Sequence, residues 1–177
     1  MRLIPTLAAG AAALPAVAGA AELNVTIEIP TLNVAEYHRP YVALWVERAD
    51  QSTAANLAVW YAIRLRDNEG EKWLKDMRQW WRRSGRELRL PIDGVTGATR
   101  APGRHTLRFD AASGPLANLP AGQYNLVVEA AREVGGRELL RVPFQWPPSA
   151  PHTASAQGST ELGAFSVSTQ PWKIRRC

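Results

Sequence analysis

From Leu23 to Ile29 apolar and polar residues alternate without a break: Leu23, Val25, Ile27 and Ile29 on one face, Asn24, Thr26 and Glu28 on the other. Side chains of a strand point to opposite faces in turn, so this pattern predicts a half-buried strand. "PYVALWVER" (Pro40 to Arg48) and "NLAVWYAIRL" (Asn56 to Leu65) are apolar on both faces and predict central strands. Asp50, Gln51 and Ser52 supply the polar turn between them. "RHTLRFD" alternates again, and "GQYNLVVEAARE" and "RELLRVPFQW" form a long pair around Gly135-Gly136. "TELGAFSVS", near the C-terminus, predicts an edge strand. Short strands punctuated by turns predict a mainly β chain, an antiparallel β-sandwich of immunoglobulin-like type. The "PAGQY" stretch, with a Tyr just inside a strand, is common in such sandwiches.

One stretch departs from this period. "GEKWLKDMRQWWRRSG" places Trp73, Met77, Trp80 and Trp81 at helical spacing, with Lys and Arg on the other side and Gly85 at the end. It predicts one amphipathic helix inserted into the β chain. Its Trp face either packs on the sandwich or lies on a membrane surface, where Trp beside Lys and Arg is favoured. "WPPSAPHTASAQGS" (Trp146 to Ser159) is rich in Pro, Ser and Ala and predicts a flexible connection over residues 147–159. The last strand and the C-terminal tail then occupy 160–177, and the sandwich domain 21–146.

The N-terminus changes the setting. "MRLIPTLAAGAAALPAVAGAAE" carries one positive residue, Arg2, then a short apolar run closing on Ala18-Gly19-Ala20. This is the pattern of a cleaved secretory signal peptide over residues 1–20, cut after Ala20. The mature chain is therefore expected to be exported. Export implies an oxidising compartment, yet the chain of 177 residues has one cysteine, Cys177. No internal disulfide can form, so the fold rests on its apolar core.

Net charge is +5, and the excess gathers in Lys72, Lys75, Arg78, Arg82, Arg83, Arg86 and Arg89. Such a patch is either a solvated basic face or a surface for anionic partners, including peripheral membrane contact; in an exported protein nucleic acid is not the expected partner. The histidines are His38, His105 and His152, far apart in the chain. No nucleophile elbow, phosphate loop or metal-ligand spacing accompanies them. A stand-alone enzyme is not the expected reading.

The remaining candidate is "PIDGVTGATR", Pro91 to Arg100. Gly94 and Gly97 permit backbone conformations closed to other residues. Gly97 and Ala98 leave almost no side chain beside Thr99, so a thin loop presents one hydroxyl. Asp93 and Thr96 are placed to hydrogen-bond locally and hold the turn. Trp73, Trp80 and Trp81 precede the loop and are candidates to stack on a flat ligand, and Arg100 and Arg104 to pair with an anion.

The pattern Asp93-x-x-Thr96-Gly97-Ala98-Thr99 resembles the flavinylation motif recognised by FAD:protein FMN transferases. Its tail is similar to that of flavin-bearing subunits of the sodium-translocating NADH:quinone reductase and of the Rnf complex. By average composition it arises by chance in on the order of one chain in thousands. The resemblance implies FMN joined through its phosphate to Thr99, with FAD and Mg²⁺ needed only during attachment. Asp93, Gly94, Thr96, Gly97 and Ala98 would then form the recognition loop, and Arg100, Trp80 and Trp81 would approach the cofactor.

"RPYVALWVE", "KWLKDMRQWWR", "DGVTGATRAPGRHTLRFD" and "PAGQYNLVVEAARE" together resemble a family of periplasmic proteins, domain-of-unknown-function family 2271. Where that family carries a His, this chain has Val134, so the position takes no role. The resemblance implies a redox carrier serving a membrane electron-transfer protein, of PepSY type and linked to iron. The alternative is a non-redox periplasmic binding or adaptor module, with the loop only a turn.

Overall fold

The structure, a computed structural model, describes residues 20–171. The signal peptide and Cys177 lie outside the described residues, apart from Ala20. The strands are β1 (Glu22–Ile29), β2 (Tyr41–Glu47), β3 (Thr53–Tyr61), β4 (Thr96–Ala98), β5 (Gly103–Asp110), β6 (Gly122–Ala131), β7 (Arg137–Trp146), β8 (His152–Gln157) and β9 (Ala164–Gln170). One short α-helix, α1, spans Arg78–Arg83. The fold is mainly β, in two sheets of order β5-β1-β9-β8 and β4-β3-β2-β6-β7. Every neighbouring pair is antiparallel except β3 and β4, which run parallel.

The sequence pattern explains the layering. Leu23, Val25, Ile27 and Ile29 of β1 are buried and share one apolar cluster with Val42, Leu44 and Val46 of β2, Leu126 and Val128 of β6, and Phe165 and Val167 of β9. That cluster draws on both sheets and is the main core. The opposite faces of β2 and β3 supply Ala43, Trp45, Val59 and Tyr61 to a second cluster with Leu74, Met77 and Trp80. Strands covered on both sides read as continuous apolar runs, as expected of β2 and β3. The helical segment caps the outer face of the five-stranded sheet.

That segment is not one amphipathic helix. A 3₁₀ stretch covers Arg66–Asp76, with Asp67 and Asn68 in left-handed conformation (φ 52° and 55°). The backbone then breaks at Met77 (ψ 73°) before α1. The buried large side chains are Leu74, Met77 and Trp80, while Trp73 is 47% exposed. These three lie in the 3₁₀ stretch, at the break and in α1 respectively, so no single helix carries the buried face. Entry into α1 is fixed by Glu129 of β6, which accepts from the Gln79 N–H (3.1 Å) and the Trp80 N–H (2.7 Å).

The C-terminal part corrects two further expectations. Residues 147–159 are not a flexible loop, since β8 lies within them and pairs with β9 along its length. Ala154 and Ala156 pack against the main core while Thr153, Ser155 and Gln157 face out. Small residues make this alternation too shallow to register as a strand. Nor is the strand of "TELGAFSVS" at an edge: β9 lies between β1 and β8. Residues 21–146 therefore do not complete the core by themselves.

Candidate functional site

Asp93, Gly94 and Val95 form a turn, with Gly94 at φ 72°. The N–H groups of Val95 and Thr96 both donate to the Ile92 carbonyl, at 3.1 and 2.8 Å. Thr96 Oγ1 accepts in return from the Ile92 N–H at 2.8 Å. Val95 is buried in the second cluster and anchors the turn from below. Thr96 thus holds the turn as expected. The Asp93 carboxylate does not: it is exposed and has no hydrogen bond among the described residues.

Beyond the turn the chain is not a loop. Thr96, Gly97 and Ala98 pair with Val59, Trp60 and Tyr61 as β4. The Val59 N–H donates to the Val95 carbonyl (2.9 Å) and the Thr99 N–H to the Tyr61 carbonyl (3.2 Å). β4 is the terminal strand of its sheet, so no strand among the described residues pairs with its other side. Thr99 stands at the end of this edge. It is half-buried, its backbone is pinned, and its hydroxyl has no hydrogen-bond partner among the described residues.

The aromatic ring beside this segment is Trp60, which sequence reading assigned only to the core. A Cβ added at Gly97 would stand 3.2 Å from Trp60 Cδ1, so Gly97 is small because an indole lies against it. The Arg100 guanidinium carbon sits 5.1 Å from the Trp60 ring, a cation–π distance. His105 of β5 also meets this ring edge-on, 5.8 Å between centroids and 75° between planes. His105 Nε2 lies 2.8 Å from the Ala101 carbonyl oxygen, which closes the connection after Arg100. Thr99 and Arg100 therefore stand where the edges of the two sheets meet. Nothing in the sequence announces Trp60, because the β3–β4 pairing that places it is parallel and non-local. His105, six positions after Thr99, was within reach of a local reading.

The expected flavin-stacking tryptophans are elsewhere. Trp80 is fully buried and its indole N–H donates to Asn56 Oδ1 at 2.8 Å; it is a core residue and has no face for a ligand. Trp81 lines a hollow with Arg137 of β7. β7 and β4 are opposite edges of the five-stranded sheet, roughly 19 Å apart at about 4.8 Å per strand. Trp73 borders a small cavity of about 50 Å³ with Arg39, Tyr41 and Arg132. Arg104 is exposed, with Glu28 3.9 Å away.

The seven cations of Lys72 to Arg89 are all exposed. No helix among the described residues is long and apolar enough to cross a membrane. Comparison with curated proteins and with solved structures finds no match. Residues 22–164 do match a family, described as predicted periplasmic protein, domain of unknown function 2271. With β1 to β8 and the start of β9 inside the matched span, the chain belongs to that family of predicted periplasmic proteins.

Proposed function

We propose that this protein is an exported electron carrier bearing FMN, joined through its phosphate to the Thr99 hydroxyl by an FAD:protein FMN transferase. The observation that carries the reading is the contrast between two threonines. The Thr96 hydroxyl is engaged with the Ile92 N–H, whereas the Thr99 hydroxyl has no partner among the described residues and stands at the end of the terminal strand of its sheet. A phosphate-linked group fits these residues. Thr99 Oγ1 is accessible, Gly97 and Ala98 leave its approach open, and Arg100 adjoins it to offset phosphate charge.

In the attachment step Thr99 Oγ1 bonds to phosphorus, the FAD anhydride breaks and AMP leaves. No side chain among the described residues hydrogen-bonds that hydroxyl, so its proton passes to a base of the transferase. Mg²⁺ would serve the same enzyme by neutralising the pyrophosphate. When bound, the flavin supplies reversible uptake of one or two electrons. The chain's own part is to keep the group at high local concentration and to offer Trp60, Arg100 and His105 as its nearest surroundings. Trp80 and Trp81 take no part.

The chain around the site reads as an immunoglobulin-like sandwich. Its support is the core shared by both sheets and the Tyr124 hydroxyl, which donates to the Pro120 carbonyl at 2.8 Å in the manner of a tyrosine corner. The electron partner is read as a membrane electron-transfer protein, reached after export and removal of residues 1–20.

The test is co-expression of the exported protein with a flavin transferase, followed by denaturing electrophoresis. A fluorescent band is expected for wild type and Thr99→Ser, and a dark one for Thr99→Ala. A band that stays dark in wild type leaves the adaptor reading, and one that still glows in Thr99→Ala moves the attachment point.

A further inference from the structure

The helical segment carries a second chemistry, remote from Thr99. Lys75, Arg78, Gln79, Trp81 and Arg82, with Arg137 of β7, line an open hollow of about 480 Å³. Four cations border it and no carboxylate does. Glu129 is fully buried, and its oxygens are taken by the N–H groups of Gln79 and Trp80 and by Arg137 Nη1 (2.7 Å). Glu129 therefore fixes Arg137 at the rim and leaves the other three cations uncompensated. Arg82 reaches only the neutral Gln79 Oε1, at 2.8 Å. Lys75 and Arg78 have no carboxylate within salt-bridge distance among the described residues.

Gathering like charges on one short segment opposes the fold unless an anion relieves it. We propose that this hollow is a binding site for a phosphate-bearing group. Three guanidinium groups offer planar forks to its oxygens, and Lys75 adds a point charge. Trp81, half-buried on the same wall, covers the apolar part next to the phosphate. The hollow is in the size range of small-ligand sites, but its cationic lining selects an anion rather than an apolar molecule. Two sources share this chemistry: the headgroup of an anionic phospholipid and a soluble phosphate monoester. Membrane attachment through this face would leave the β4 edge, at the far side of the sheet, open to partners.

The experiment uses the purified full-length protein and two probes. Vesicles of phosphatidylcholine, with and without phosphatidylglycerol, are used in co-sedimentation; glycerol phosphate is titrated against Trp fluorescence. Binding to at least one anionic probe is expected, weakening about tenfold or more in Arg78→Ala/Arg82→Ala and falling with salt. The control Arg86→Ala/Arg89→Ala removes two exposed cations outside the hollow and is expected to bind within about twofold of wild type. Trp81→Leu keeps every charge and is expected to lose the fluorescence response and weaken binding.

Vesicle binding without a glycerol phosphate response assigns the site to lipid headgroups, and a saturable response to glycerol phosphate assigns it to soluble phosphates. The proposal is overturned if neither probe binds, if Arg78→Ala/Arg82→Ala binds as wild type does, or if the control variant loses as much. Thermal melting of each variant keeps loss of binding apart from loss of fold.

Discussion

At the scale of single residues, two threonines three positions apart have different work. Thr96 closes a turn through its hydroxyl. Removing that acceptor leaves the Ile92 N–H without its partner. Thr96→Ala is therefore expected to cost about 1 kcal/mol, read as a lower urea midpoint. Thr99→Ala removes a hydroxyl that has no hydrogen-bond partner among the described residues and is expected to stay within about 0.5 kcal/mol of wild type. An equal loss in both variants would mean that the Thr99 hydroxyl holds the structure, against its reading as an attachment point. Gly97 shows how far a residue type can be read in sequence. Its small size was legible as clearance around Thr99, but the neighbour that requires it is Trp60, 3.2 Å from where a Cβ would stand. Only the pairing of β4 with β3 exposes that reason.

At the scale of elements, legibility followed the contrast between alternating positions. β1 sets Ile and Val against Thr and Glu, and its face was readable. β8 sets Ala against Ser and Thr, a difference in transfer energy too small to mark a strand. In the helical segment, Trp73 suggested one period of 3.6, but the buried Leu74, Met77 and Trp80 are divided between two helices by a backbone break. The turn before β9 was also unreadable, because one distant carboxylate builds it. Glu138 of β7 accepts at one oxygen from the Ser159 N–H (2.7 Å), and at the other from the N–H groups of Thr160 (3.0 Å) and Leu162 (2.8 Å). Burial pushes its pKa up, but these backbone donors together outweigh it and hold the group below the ordinary glutamate value of 4.5. A depressed folded pKa contributes stability that is present above the unfolded value and lost as pH falls through the folded one. Acidification below about pH 4.5 is thus expected to loosen the β8–β9 connection. Amide exchange at Thr160 and Leu162 should accelerate over that window in wild type. Glu138→Gln should show fast exchange at neutral pH and little further change on acidification.

At the scale of the whole molecule, a buried ion pair joins the two sheets, alongside the apolar packing and the Glu138 contacts. Arg132 follows β6 in one sheet and Glu161 precedes β9 in the other; their side chains are 6% and 4% exposed. Arg132 Nε and Nη2 donate to the two carboxylate oxygens at 2.8 and 3.1 Å, and the Gly136 N–H donates to Glu161 Oε1 at 2.8 Å. Attraction in such a pair is largely spent on desolvation, so the pair itself adds little net stability, whereas removing one partner strands a buried charge. Glu161→Ala is expected to destabilise by about 3–5 kcal/mol, because Arg132 then has no counter-ion and the Gly136 N–H no acceptor. Arg132→Met/Glu161→Gln removes both charges while keeping an acceptor for Gly136, and is expected to recover most of that loss. Urea unfolding of the single and double variants decides the matter. If the double variant is as unstable as Glu161→Ala, the pair supplies net attraction between the sheets; recovery places the attraction in the shared apolar core and leaves the ion pair to set how the two edges align. That alignment bears on the site, since Trp60 of one sheet meets His105 of the other at the opposite edge. A double variant that folds stably with misaligned sheets would show altered Trp60 fluorescence while its urea midpoint stayed near that of wild type.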